Sequence, residues 1–207
     1  MKKLNIYNII IILCMILVCL YTFTFQFISH DKRMFNNIIT IIILLLPLLI
    51  EKFTKLKFNN ILKVAYTTFV ILASYFGTCL KLYNTISYYD TIVHTLFGFI
   101  GSIIALNLLF IFKKYDKKNI IFNILFVISI TMFMAVKWEF IEYFYDMFTN
   151  HDTQHVLDTG INDTMIDLLV AFMGSLTCIS FYYLENIFNK KWLIKKYIKV
   201  LGDEYGK

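Results

Sequence analysis

The chain has 207 residues, of which 59% are hydrophobic and 18% aromatic, and its mean hydropathy is +0.68. A soluble domain is about 45–50% apolar, and several apolar runs here exceed the ~17 to 25 residues that cross a bilayer. This composition excludes an ordinary soluble domain, and it predicts an all-α, polytopic transmembrane helix bundle that forms a single integral membrane domain over residues 1–207.

The net charge of +6 does not indicate a nucleic-acid partner, because the basic residues lie in short loops between apolar runs. Such loops are typical of membrane topology, and the lipid bilayer is the expected partner. The cysteines predict neither a metal site nor a disulfide framework, because all of them lie inside apolar runs without ligand spacing. They are Cys14, Cys19, Cys79 and Cys178.

Six apolar segments predict membrane-spanning helices. In chain order they cover residues 5–28, 34–50, 61–80, 90–112, 119–147 and 163–187. The first has a basic head but is too long for a signal peptide, so it predicts an uncleaved span. With both termini in the cytoplasm, sixteen lysines fall on the inner side and three basic residues on the outer side. This bias follows the positive-inside rule and predicts that orientation.

Polar residues open the fourth predicted helix at its outer end. Asp90 and His94 are four residues apart, so they share one helix face, and Gly98, Gly101 and Ala105 continue that face. Small residues allow close approach of helix backbones in membranes. We therefore expect Asp90 and His94 to point into the bundle rather than into lipid.

Two further polar sets fall at the same predicted depth. The fifth helix ends outward with Glu139, Glu142 and Asp146 on one face, and the sixth begins with Asp163 and Asp167 on one face. The intervening loop adds more acids and histidines, which are His151, Asp152, His155 and Asp158. We expect an electronegative outer mouth, which favours cations or positively charged groups.

The cost of burying charge indicates that these groups form one site. An ionised Asp at mid-membrane costs about 2.5 to 3.5 kcal/mol, so unpaired acids need water, a partner, a proton or a cation. The predicted site residues are Asp90, His94, Glu139, Glu142, Asp163 and Asp167. Oxygen ligands with one histidine suit Mg²⁺, Mn²⁺ or Zn²⁺, and His94, Asp163 and Asp167 are the first metal candidates. Without a metal, His94 could act as a general acid or base.

Simpler interpretations exist for several of these residues. Asp90 and Asp163 could be N-caps of their helices, and Glu139 could pair with Lys137 beside Trp138 at the membrane interface. Asp146 is expected to be solvated, and His151 and His155 are expected to be ordinary loop residues. Capping does not explain His94 or Asp167, because each lies one turn deeper.

The motifs Asp90-x-x-x-His94, Glu139-x-x-Glu142 and Gly160-x-x-Asp163-Thr164-x-x-Asp167 resemble those of the YjdF-like inner-membrane proteins. The resemblance covers about half of the chain, although the Gly-Asp order of that family's last motif is missing here. The chain is more distantly similar to VanZ-like proteins, with Glu142 in place of their Gln. The resemblance implies a multi-pass protein of the bacterial cytoplasmic membrane, with a link to the cell envelope through the VanZ relatives.

These observations favour an outward-facing Asp/Glu/His site that binds or processes a cell-envelope or lipid-linked substrate, with a divalent cation as an option. One alternative is a cation- or proton-coupled transporter that uses the same acids. The inner halves of the last three helices look plainly apolar, which counts against it. Another is a non-enzymatic partner protein whose acids dock a second chain. The sequence leaves open whether the site is enzymatic, which cofactor it holds and which oligomer forms.

Overall fold

A computed structural model describes residues 6–21, 24, 34–54, 56–149 and 152–205. Within these ranges all regular structure is helical and no strand occurs, which confirms the predicted all-α class. The helices are α1 (Ile6–Tyr21), α2 (Met34–Phe53), α3 (Asn60–Cys79), α4 (Leu82–Thr85), α5 (Tyr89–Ile111), α6 (Ile120–Thr149), α7 (Val156–Thr159), α8 (Asn162–Ile187) and α9 (Ile194–Tyr205). In α3 the α-helix Asn60–Val70 continues as a π-helix over Ile71–Cys79.

Four of the described helices are long and apolar enough to cross a membrane, namely α3, α5, α6 and α8. Their bounds lie within a few residues of the predicted third to sixth spans. The apolar helices α1 and α2 have 16 and 20 residues and correspond to the first two predicted spans. The count of six spans and the cytoplasmic termini stay predictions, and part of the span predicted over 5–28 lies outside the described residues.

The described chain falls into two compact units, Met1–Tyr89 and Asp90–Lys207. The prediction of one domain over 1–207 stays a prediction. In the first unit a buried ion pair joins α2 to α3, because the Lys63 Nζ lies 3.2 Å from a carboxylate oxygen of Glu51. Lys63 is one of the sixteen lysines counted on the inner side, and it lies buried in the first turns of α3. Pairing with Glu51 lets this lysine be buried.

In the second unit α5 and α8 run in the same direction and α6 runs opposite to both. Loop 112–119 joins α5 to α6 and residues 150–161 lie between α6 and α8. Glycines bring α5 and α8 into backbone contact. A Cβ atom at Gly98 would overlap the carbonyl oxygen of Ala171, and one at Gly174 would overlap that of Thr95. The predicted packing of small residues below the polar ones is therefore confirmed for α5 and α8.

The inner halves of α5, α6 and α8 are not plainly apolar, and that interpretation of the sequence was wrong. The Ser102 hydroxyl donates to Ser175 Oγ at 2.8 Å and lies 3.3 Å from Thr131 Oγ1. Asn107 and Asn123 are also buried, with 1% of their surface exposed. Buried polar groups are stable where they hydrogen-bond to one another or to backbone. The hydroxyl groups and the Asn123 amide meet this condition, whereas Asn107 is bonded through its Nδ2 and its buried Oδ1 has no partner among the described residues.

A last helix, α9, packs against the same unit. Its apolar face is buried and consists of Ile194, Tyr197, Ile198 and Leu201. The side-chain amide of Asn107 in α5 donates to the Tyr197 hydroxyl oxygen, and burial raises the pKa of the Tyr197 phenol above its ordinary value. No helix was predicted here, because the segment is too short and too polar to span a membrane.

Candidate functional site

Three side chains from two helices converge at the start of α5 and α8. His94 Nε2 lies 3.5 Å from Asp90 Oδ1 in the same helix and 3.9 Å from Asp167 Oδ2 in α8. One potential ligand atom from each residue lies within 4.8 Å of the other two. Asp90 and His94 share a face because they are four residues apart, and the close packing at Gly98 brings α8 alongside. The predicted convergence of these three residues is thus present.

The three residues differ in burial. The His94 and Asp167 side chains are only 10% and 5% exposed, whereas that of Asp90 is 36% exposed. Asp90 therefore forms the open side of the group, and His94 and Asp167 form its buried side. One carboxylate oxygen of Asp90 lies within 4.8 Å of one carboxylate oxygen of Asp167. Two carboxylates at such a distance repel each other unless a proton or a cation lies between them.

No lysine or arginine within the described ranges forms an ion pair with any of the six predicted site residues. Lys137 is exposed, and its Nζ lies 5.6 Å from the centroid of the Phe133 ring. The predicted alternative of a Glu139–Lys137 pair is therefore wrong, because the two side chains leave α6 on different faces. The acids at this site therefore lack a lysine or arginine counter-charge from these parts of the chain, and the basic groups within electrostatic range of Asp90 and Asp163 are histidines, His94 and His155.

Glu139 is buried and is held by the segment that follows α6. Gln154 Nε2 donates to the Glu139 Oε2 and backbone oxygen at 3.4 and 3.3 Å, and to Thr164 Oγ1 at 3.2 Å. Gln154 itself is only 7% exposed. Gln154 was not among the predicted site residues, and Thr164 was named only as part of the family motif. A glutamine in a polar loop gives no signal of its own, because its burial depends on how the loop folds.

Glu142 and Asp163 complete the cluster and are both half-buried. Trp138 Nε1 donates to Glu142 Oε1 at 2.8 Å, one turn apart on α6. Glu142 lies within electrostatic range of Glu139, Asp90 and Asp167. Asp163 lies within the same range of Asp90 and His94. All six predicted residues therefore meet at one end of the second unit.

The ligand set nevertheless differs from the predicted one. Asp90, not Asp163, completes the three-residue group with His94 and Asp167. Asp163 belongs to the first turn of α8, one turn before Asp167, so its carboxyl group lies nearer the mouth. Asp163 is not an N-cap, because Ile161 holds that position without a side-chain hydrogen bond.

The neighbouring polar residues take structural roles. Asp146 accepts hydrogen bonds from the backbone N–H groups of Thr153 and Gln154 and from the Thr153 hydroxyl. Asp146 was predicted to be solvated. Its hydrogen bonds show that it also anchors the loop. His155 is an exposed residue of this loop with a φ of 49°, and the predicted loop residue His151 lies outside the described residues.

This geometry can hold a small cation or exchange a proton. Two carboxylates and one imidazole are donors that Mn²⁺ and Zn²⁺ accept, and carboxylates suit Mg²⁺. The half-exposed Asp90 leaves one side of the group accessible. Glu139, Glu142 and Asp163 surround it with further oxygen atoms, which could bind a second cation or a positively charged substrate group.

Comparisons with known proteins agree with a membrane location. An uncharacterized protein of Thermotoga maritima is 27% identical over 143 residues, which cover 66% of this chain and 69% of the relative. No solved structure matches the chain. A family model described as predicted membrane protein (DUF2238) matches residues 10–186, which include all six site residues. The chain therefore belongs to the predicted membrane protein family DUF2238.

Proposed function

We propose that this membrane protein binds a divalent cation between Asp90, His94 and Asp167. The observation that carries the proposal is the three-residue group itself, whose donor atoms lie within 4.8 Å of one another. A cation at that point would neutralise two carboxylates that pair with His94 and with no lysine or arginine among the described residues. One histidine with carboxylates fits Mn²⁺ and Mg²⁺. It also fits Zn²⁺, although zinc sites usually contain more than one histidine.

The cation would act on a cell-envelope or lipid-linked substrate at the outer face of the bacterial cytoplasmic membrane. Three things support this part. The site opens at the end of α5 and α8 that the positive-inside rule predicts to be outside. The carboxylates of Glu142 and Asp163 are half-buried beside the ligand group, where they can contact substrate. The motif resemblance to YjdF-like and, more distantly, VanZ-like proteins also favours the cell envelope.

Charge restricts the substrate. Five carboxyl groups and one histidine meet here without a lysine or arginine from the described residues, so one divalent cation leaves an excess of negative charge if the acids are ionised. A free phosphate group would then be repelled. The site instead favours a neutral or cationic substrate group, or a phosphate that arrives with its own divalent cation.

Elemental analysis of the purified protein tests the cation site. We expect stoichiometric metal in the wild type and its loss in His94→Ala and Asp167→Asn. Asp158→Asn is the matched control, because Asp158 is an exposed acid of the neighbouring loop, and it should retain metal. Full metal content in both site variants would refute the site. Complementation of a deletion strain by both variants would refute its functional role.

A second candidate function is a cation- or proton-coupled transporter. One observation favours it. Buried polar side chains continue inward from the site, at Ser102 and Ser175 and then at Asn107. Proton and cation paths use such intramembrane polar groups. Cation flux into proteoliposomes that is lost in Asp167→Asn would support transport over substrate processing, and no flux above empty liposomes would dismiss it.

A further inference from the structure

The end of the second unit opposite the candidate site carries a dense group of lysines. Helix directions place the loop after α5 and the segments after α8 at this end. The nine lysines, which we call the lysine-rich end, are Lys113, Lys114, Lys117, Lys118, Lys190, Lys191, Lys195, Lys196 and Lys199. All are exposed except the half-buried Lys195. They outnumber the acids there, Asp116, Glu185, Asp203 and Glu204, by more than two to one.

Helix α9 holds part of this charge in a fixed position. The buried carboxylate of Glu185 at the end of α8 accepts hydrogen bonds from the backbone N–H groups of Leu193, Ile194 and Lys195 at 2.6 to 2.9 Å. These bonds satisfy N–H groups at the start of α9 that have no partner within the helix. With its apolar face buried against the unit, α9 exposes Lys196 and Lys199.

Exposed aromatic and aliphatic side chains lie beside these lysines. Phe188 is 58% exposed and Trp192 is 50% exposed. The centroids of their rings lie 6.4 Å apart. Leu193 and Phe112 are exposed as well. Trp and other aromatic side chains favour the headgroup level of a bilayer. Basic residues next to them attract anionic lipids.

We propose that the lysine-rich end binds the headgroups of anionic phospholipids in the adjoining leaflet. Charge complementarity favours this ligand, because a cluster of four to eight basic residues beside a membrane span attracts such headgroups. The topology rule alone accounts for lysines in a short loop such as 112–119. The same rule covers the number of lysines that follow the last span, but it does not account for a helix that is docked there by a buried carboxylate, exposes Lys196 and Lys199 and is flanked by exposed aromatic rings.

A lipid titration tests the proposal on the full chain in a non-ionic detergent. Native mass spectrometry would count bound short-chain phosphatidylglycerol and phosphatidylcholine. We expect preferential binding of phosphatidylglycerol, weakened by high salt. The double variant Lys196→Gln/Lys199→Gln should lower its affinity at least about fivefold, since each lysine near a headgroup contributes roughly that factor.

The matched control is Lys81→Gln/Lys137→Gln, which removes two exposed lysines outside the lysine-rich end and should leave the affinity unchanged. Circular dichroism and gel filtration would check folding, and Lys199→Gln alone would replace the double variant if that variant misfolds. Equal binding of both lipids, or an unchanged affinity in the α9 variant, would overturn the proposal. So would binding of inorganic phosphate with no preference for phosphatidylglycerol.

Discussion

Replacing Gly98 by alanine should destabilise the packing of α5 on α8. The new Cβ would overlap the backbone carbonyl oxygen of Ala171, and no rotamer change can move a backbone atom. Ordinary contact needs about 3.5 Å, so the helices must separate by more than about 1 Å. Overpacking costs about 1 to 3 kcal/mol, and the better helix propensity of alanine offsets up to about 1 kcal/mol. We expect a net loss of about 1 to 2 kcal/mol.

The same substitution should weaken the candidate cation site. His94 lies one turn before Gly98 on α5, and Asp167 lies one turn before Ala171 on α8. A shift between the helices therefore changes the distance between these two side chains. Metal–ligand distances tolerate about 0.2 Å, so a displacement near 1 Å exceeds that tolerance. We expect metal affinity to fall by about tenfold or more, as when supporting residues are removed.

Thermal unfolding in detergent at one fixed heating rate measures the first effect. A loss of 1 to 2 kcal/mol lowers Tm by about 2 to 8 °C for a chain of this size. Gly202→Ala in α9 is the control, because the nearest atom to its added Cβ is Phe110 Cε1 at 4.0 Å, so its Tm should stay unchanged or rise slightly. Equal Tm values for Gly98→Ala and Gly202→Ala would refute the close contact between α5 and α8.

Four further substitutions test three contacts of the second unit. Glu185→Gln should raise amide hydrogen exchange throughout α9 by weakening its docking by about 1 to 3 kcal/mol. Gln154→Leu should raise exchange over residues 152–161, because Glu139 and the loop lose the donors that join them. A double-mutant cycle of Ser102→Ala and Ser175→Ala should give a coupling of about 0.6 kcal/mol in thermal or denaturant unfolding, as expected for hydrogen bonds between membrane helices.

Each of these predictions has a matched control among exposed residues of the same unit. Asp203→Asn should leave exchange in α9 unchanged, and Asp158→Asn should leave exchange in the loop unchanged. Ser180→Ala should show no coupling to Ser102→Ala, because Ser180 is exposed. Exchange rates in the Glu185 and Gln154 variants equal to those of their controls would contradict the hydrogen bonds described here. If the losses in unfolding free energy of Ser102→Ala and Ser175→Ala added strictly in the double variant, this would contradict the Ser102–Ser175 hydrogen bond.

The meeting of the six site residues could be predicted because it depends on two simple regularities. Helical periodicity places Asp90 with His94 and Asp163 with Asp167, and alternation of spans brings the ends of consecutive helices to one side. The same periodicity predicted that Gly98 would lie below Asp90 and His94 at a packing surface. The identity of the three-residue group could not be predicted, because it depends on the relative shift of α5 and α8 by a single turn.

The roles of the α6–α8 loop and of α9 depend on tertiary contacts that leave no pattern in the sequence. His155 and Gly160 both have positive φ, and their turns bring Gln154 back to Glu139. No motif specifies that return. Likewise, Glu185, which docks α9, lies at least eight residues before the residues whose N–H groups donate to it. An ordinary capping residue would adjoin the helix it caps.

The packing of the second unit favours binding at one face over transport. A cation held by Asp90, His94 and Asp167 would have to pass Gly98 to travel inward between α5 and α8. At that level the two backbones touch, and about one turn further the Ser102 and Ser175 hydroxyls bond to each other. Transport along this line would require the helices to separate and break that bond. Binding or processing at the open end requires neither step, so the closed contact favours a site that acts at one face.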